Sequence, residues 1–412
     1  MKTKYIWLLA VLLSFTACNN DDDSSSTVDN LPPLTAGEAD FSNYVAVGAS
    51  FSAGFSDGAL FIATQENSFP NIMSKKFEML GGGSFSQPLM NDNIGGFVMG
   101  GTVVANPRLY FDGSGPVVLP ATPTTQITDH LSGSFNNYGI PGAKSFHLGI
   151  PGYASLNPYF GRMASSPTAT VIGDAVAQNP TFFTLSEIGG NDVLSYATSG
   201  GTGVDQTGNL NPATYGVNDI TDPNVFAASF SAAVDALTAN GAKGVVTNVP
   251  YITSLAHFTT VPYNPVPLDA GTAAVVNNAY AAYNAGVAQA FAYLVGIGAV
   301  SQADADVEIA KRTIMFEASE SNAVVIMDED LTDLTAINPQ LVSMRQATAD
   351  DLLVLPASSF IGTEAVPGNP LTVNGVAIPL ADKWVLTPEE QQAIKTATDA
   401  YNVTIESVAN AN

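Results

Sequence analysis

Three short apolar runs in this chain each lead into a glycine-bearing block, two of which carry a polar residue, Ser50 or Asn191, and the third Gly142. No other feature constrains the fold as tightly. Tyr44 to Val47 leads into Gly48-Ala49-Ser50-Phe51-Ser52-Ala53-Gly54. Phe135 to Ile140 leads into Pro141-Gly142-Ala143, and Thr181 to Glu187 into Ile188-Gly189-Gly190-Asn191-Asp192. Apolar runs of this length, stopped by glycine, read as buried strands. Helical spacing predicts helices over 69–80, 224–240, 272–294 and 388–409, and a fourth strand over 244–249. Strands alternating with helices predict an α/β fold with a mostly parallel central sheet. Such sheets gather ligands at the carboxyl ends of their strands. Ser50, Gly142 and Asn191 are therefore expected on one rim. A hydroxyl, a backbone N–H and a carboxamide meeting there are the parts of a nucleophile with an oxyanion hole.

A Gly/Pro-rich stretch near 81–134 reads as an insertion of loops and short strands on the core sheet, and 250–270 as a second, loop-rich insertion. Segments of this kind are often binding surfaces or lids. Ala323 to Met327 reads as a short buried strand and Leu352 to Leu355 as an edge strand. No second periodic core and no repeat of fixed period is seen, so 37–412 is expected to be one domain. The chain carries 13 Lys+Arg against 37 Asp+Glu, a net charge of −24. That field repels polyanions at long range and argues against nucleic-acid binding.

The first eighteen residues read as an address. Lys2 and Lys4 precede the apolar run Tyr5 to Phe15, which is too short to span a bilayer as a stable helix. It ends in Phe15-Thr16-Ala17-Cys18, which resembles the lipobox of bacterial lipoproteins with Phe15 where Leu is commonest. The resemblance implies cleavage before Cys18, the only cysteine, and acylation of that residue as a membrane anchor. Residues 19–36 read as a flexible acidic tether that buries too little apolar surface to fold. An acidic stretch directly after the cysteine also resembles the export signal of surface-exposed lipoproteins. The expected location is the bacterial cell envelope, at the outer membrane.

With these residues in place, the pattern resembles the SGNH (GDSL-type) hydrolase family, which places Ser, Gly, Asn and His in four blocks in that order. Gly48 to Gly54 is similar to the nucleophile block, with Ala49 where the family usually has Asp or Asn. Asn137 to Ala143 is similar to the glycine block, and Gly189-Gly190-Asn191-Asp192 closely matches the asparagine block. The resemblance implies a three-layer, flavodoxin-like α/β sandwich and an esterase or lipase-like acylhydrolase. Ser50 would attack an ester carbonyl, in an acyl lipid or an acetylated glycan. The Ser50 and Gly142 N–H groups and the Asn191 amide would hold the oxyanion. No cofactor and no metal is implied.

The fourth block departs from the family. Its Asp-x-x-His is matched by Asp382-Lys383-Trp384-Val385, so valine occupies the histidine position. The candidates for a base are Asp382, directly or through water, and the three histidines. His257 lies beyond the fourth strand on the rim of Ser50; His147 and His130 are less well placed. Equally, Asp382 can be a turn or cap residue, and His257 a loop residue beside Phe258. An alternative reading follows from Val385: a hydrolase scaffold without its base that holds a glycan or lipid. Gly139-Ile140-Pro141-Gly142-Ala143-Lys144-Ser145 lacks the core of a phosphate loop. Asp304-Asp306-Glu308 and Asp328-Glu329-Asp330 lack the calcium loop of twelve residues and read as solvated surface. Asp192 reads as a residue that fixes its loop.

Overall fold

The computed structural model describes residues 34–412. Contacts divide the chain after Glu38, and every element below lies in the unit Ala39–Asn412. Cys18 and most of the expected tether lie outside the described residues. Among the described residues no helix is long and apolar enough to cross a membrane.

The fold is mixed α/β around a four-stranded parallel sheet. Its strands are β1 (Tyr44–Gly48), β2 (Asn137–Gly139), β3 (Phe182–Leu185) and β4 (Lys243–Val246), in the order β2-β1-β3-β4. Gly48 stands opposite Gly139, and Val47 opposite Leu185. All five residues of β1 are buried, as expected of a strand covered on both faces. Its side chains alternate between two cores. Tyr44 and Ala46 pack with Phe182 and with Met73 and Phe77 of helix α2 (Phe69–Phe77). Val45 and Val47 join the main cluster, which also takes in Phe226, Phe230 and Tyr401 and extends to Ile405.

Helix starts follow ordinary capping chemistry. The helix α4 (Pro223–Thr238) begins at Asp222, which accepts the N–H groups of Asn224 and Val225. Asp269 opens the long helix α5 (Ala270–Gly296) by accepting the Thr272 N–H. The last helix, α6 (Pro388–Ala411), opens with Pro388 and a reciprocal cap between Thr387 and Glu390. Between α2 and α4 lies α3 (Asn191–Thr198).

The expected loop insertions carry regular elements. In 81–134, strands Phe97–Met99 and Thr102–Ala105 pair, as do Leu109–Phe111 and Pro116–Val118. In 250–270, Val266–Leu268 pairs with Ser319–Asn322. The strand Val325–Met327, buried at Val325 and Ile326 and half-buried at Met327, pairs with Met344–Gln346, outside the central sheet. Leu352–Leu353 pairs with Val385–Leu386 in a ladder of its own.

Candidate active site

Strand order places the site. Chain leaving β1 goes first to β2 on one side, then crosses to β3 on the other. The carboxyl ends of β1 and β3 therefore flank a topological switch point, where open sheets hold ligands. Ser50 follows β1 at the start of the short helix α1 (Ser50–Ala53). Gly142 follows β2, and Asn191 follows β3 at the first position of α3.

Two glycines let α1 sit directly on the strand ends. A Cβ on Gly139 would lie 2.2 Å from the Ala53 nitrogen, and one on Gly48 would lie 2.1 Å from Ser52 Oγ. Side chains then fasten the turn. Asn137 Nδ2 donates to the Ser52 carbonyl at 2.7 Å, and the Ser52 and Ser186 hydroxyls pair at 2.9 Å.

The central fastening is Glu187, two residues past the end of β3. Its Oε1 accepts the Ala49 N–H at 2.9 Å and the Ser52 N–H at 2.6 Å, and its Oε2 accepts the Phe51 N–H at 2.7 Å. The N–H of Ser50 is skipped and meets no acceptor among the described residues. The same holds for the N–H of Gly142, whose φ of 79° puts it in the left-handed region and which is exposed. Glu187 itself has φ 56°, a conformation that costs a non-glycine residue of order 1–3 kcal/mol. Burial raises its carboxyl above the ordinary range, against the lowering effect of the three N–H donors. Sequence reasoning missed this residue.

Asn191 is tied to the glycine loop. Its Nδ2 donates to the Ala143 carbonyl at 2.8 Å, which leaves the second amide proton available. Beside it, fully buried Asp192 accepts the Ser145 hydroxyl at 2.6 Å and the Ser145 N–H at 2.9 Å. Asp192 thus fixes the loop after β2 to the start of α3. Ser50 and Asn191 are partly exposed, and Phe51 is 68% exposed. A cleft of about 500 Å³ lined by Tyr251, Asp350, Gln391 and Lys395 lies elsewhere and contains none of the three.

No histidine is hydrogen-bonded to Ser50 among the described residues. His130 Nε2 pairs with the Ala164 carbonyl at 2.9 Å. His147 Nδ1 accepts the Lys144 N–H at 3.0 Å, and its ring stacks on Tyr153. His257 packs edge-on to Phe258 in the turn Ala256–Thr259, and its buried Nε2 has no partner. Burial lowers its imidazole below the usual range. Asp382 lies in the turn Asp382–Trp384, whose backbone packs against Gly200 just past the last residue of α3. Asn191 opens that helix, and eight residues span about 12 Å. Asp382 and Asn191 thus stand at opposite ends of α3. Val385, where the sequence resemblance expects a histidine, is 1% exposed and sits in the ladder with Leu353.

Compared with protein-family models, with curated proteins and with solved structures, the chain finds no match in any of the three.

Proposed function

We propose that this chain is a serine acylhydrolase of SGNH type, a three-layer α/β sandwich that cleaves esters at the cell envelope, anchored through Cys18. The observation that carries the reading is the hydrogen-bond pattern around Ser50. Glu187 consumes the N–H groups on both sides of Ser50 and leaves the Ser50 N–H open. That N–H, the open N–H of Gly142 and the second Asn191 amide proton supply three donors for a tetrahedral oxyanion. Ser50 Oγ attacks the ester carbonyl as rim water takes its proton; the tetrahedral intermediate collapses, the ester C–O bond breaks, and the alcohol leaves with a proton returned by water. A second water then adds to the acyl-enzyme, which releases the carboxylic acid and restores the Ser50 hydroxyl. The exposed Phe51 ring offers an apolar contact for an acyl chain.

A second reading, a binding scaffold for glycans or lipids, is favoured by two facts: Val385 is in the core, and among the described residues no imidazole bonds to Ser50. One experiment separates the two. The protein from about Leu31 onward is assayed on short and medium acyl esters and treated with a fluorophosphonate. The hydrolase reading expects hydrolysis and a single label, both lost in Ser50→Ala. Asn191→Ala should lower kcat by about 10²–10³. Hydrolysis undiminished in Ser50→Ala overturns the mechanism. Absence of both hydrolysis and label, with retained binding of acetylated glycans or lipid vesicles, selects the scaffold.

A further inference from the structure

The far end of α3 carries a second polar constellation. Glu329, Asp382 and Glu390 come from three separate segments: the acidic loop after strand Val325–Met327, the turn Asp382–Trp384 and the first turn of α6. One carboxylate oxygen from each lies within 4.8 Å of the other two. Around Ca²⁺, with oxygen ligands at 2.3–2.6 Å, opposite oxygens stand about 4.6–5.2 Å apart, so three oxygens this close fit one coordination sphere.

The cluster has no cationic side-chain partner among the described residues. Arg345, the basic residue nearest to the acidic loop, is spent on Asp328 at 2.5 Å and on Asp351 at 2.7 Å. Lys383, beside Asp382, lies over the Trp384 ring at 4.8 Å. Glu390 is only 5% exposed. Its Oε2 accepts the Thr387 N–H at 2.7 Å, but its Oε1 is buried with no hydrogen-bond partner. An orphaned carboxylate oxygen away from water is costly unless a cation or donor meets it. The backbone is shaped to this carboxylate: a Cβ at Gly201 would lie 1.6 Å from Glu390 Oε1.

We infer that Glu329, Asp382 and Glu390 form a divalent-cation site of calcium chemistry, distinct from the Ser50 rim and independent of the hydrolase reading. Hard carboxylate oxygens, with waters filling the remaining positions, suit Ca²⁺. Mg²⁺ demands near-ideal octahedral geometry at 2.0–2.1 Å and gives up its water reluctantly. The full chain, freed of metal with a chelator, is titrated with Ca²⁺ by calorimetry. In parallel, Tb³⁺ is added and its luminescence sensitised through Trp384 is followed. Saturable binding is expected with a Kd of about 10⁻³ M or tighter, accompanied by a higher Tm. Ca²⁺ should displace Tb³⁺, and Mg²⁺ should do so at least about tenfold less well. Glu329→Gln, a conservative change at an exposed residue, and Asp382→Asn should each weaken Ca²⁺ binding at least about tenfold. Wild type showing neither Ca²⁺ heat nor Tb³⁺ luminescence overturns the site. So do folded variants that bind Ca²⁺ as tightly as wild type.

Discussion

Glu187 holds three N–H groups from a turn 138 residues earlier in the chain, and it does so from a strained backbone. The strain is offset by charge-assisted hydrogen bonds, each stronger than a neutral one. Glu187→Gln keeps the shape but turns one acceptor into an amide donor. Either the Phe51 N–H or the Ala49 and Ser52 pair then faces a donor. A loss of about 1–3 kcal/mol is expected, read from urea denaturation. If Ser50 is the nucleophile proposed above, ester turnover should fall as well, because the turn that presents it loosens. The sequence held a faint sign of this residue, an acid at the junction of an apolar run and Gly-Gly in a chain with only 12% charged residues. Its partners were not legible, since they depend on β1 and β3 lying side by side. Ser50, Gly142 and Asn191 were legible because glycine at a strand end marks the rim whatever the pairing.

At the scale of elements, the long helices were readable to within a few residues because caps and apolar spacing agree. The helix expected over 272–294 spans Ala270–Gly296, and the one expected over 388–409 spans Pro388–Ala411. The pairing of the short strands outside the central sheet was not readable, because two to four residues carry too little pattern to name a partner. The turn Ser145–Gly149 shows what such a small element can do to stability. Burial and the Lys144 ammonium push the His147 imidazole down to about 4. An unfolded imidazole titrates near 6.5, so between these values the unfolded chain binds more protons. The stabilising share of neutral His147 is therefore complete above pH about 6.5. It drains away as pH falls, at no more than about 1.4 kcal/mol per pH unit, and is gone below about 4. His147→Phe keeps the ring against Tyr153 and cannot titrate. Denaturation across this window should show the variant losing less stability than wild type.

At the scale of the molecule, one apolar cluster links residues from Val45 to Ile405, so the Ser50 rim and the C-terminal segments share a core. Inside this body, Arg345 bridges the buried carboxylates of Asp328 and Asp351. Removing the guanidinium strands two acids where water cannot reach them. Arg345→Met should cost about 3–5 kcal/mol, measured by chemical denaturation, whereas breaking an exposed, solvent-screened pair such as Lys395–Asp399 should cost far less. The shared core also bears on engineering. Position 385 points into packed hydrocarbon opposite Leu353, not toward solvent. An imidazole grafted there would have to shed its hydration to fit, and its nitrogens would face aliphatic neighbours. Such a graft would measure how much polarity the interior tolerates, and a proton acceptor for Ser50 would have to be built from the loops above the rim.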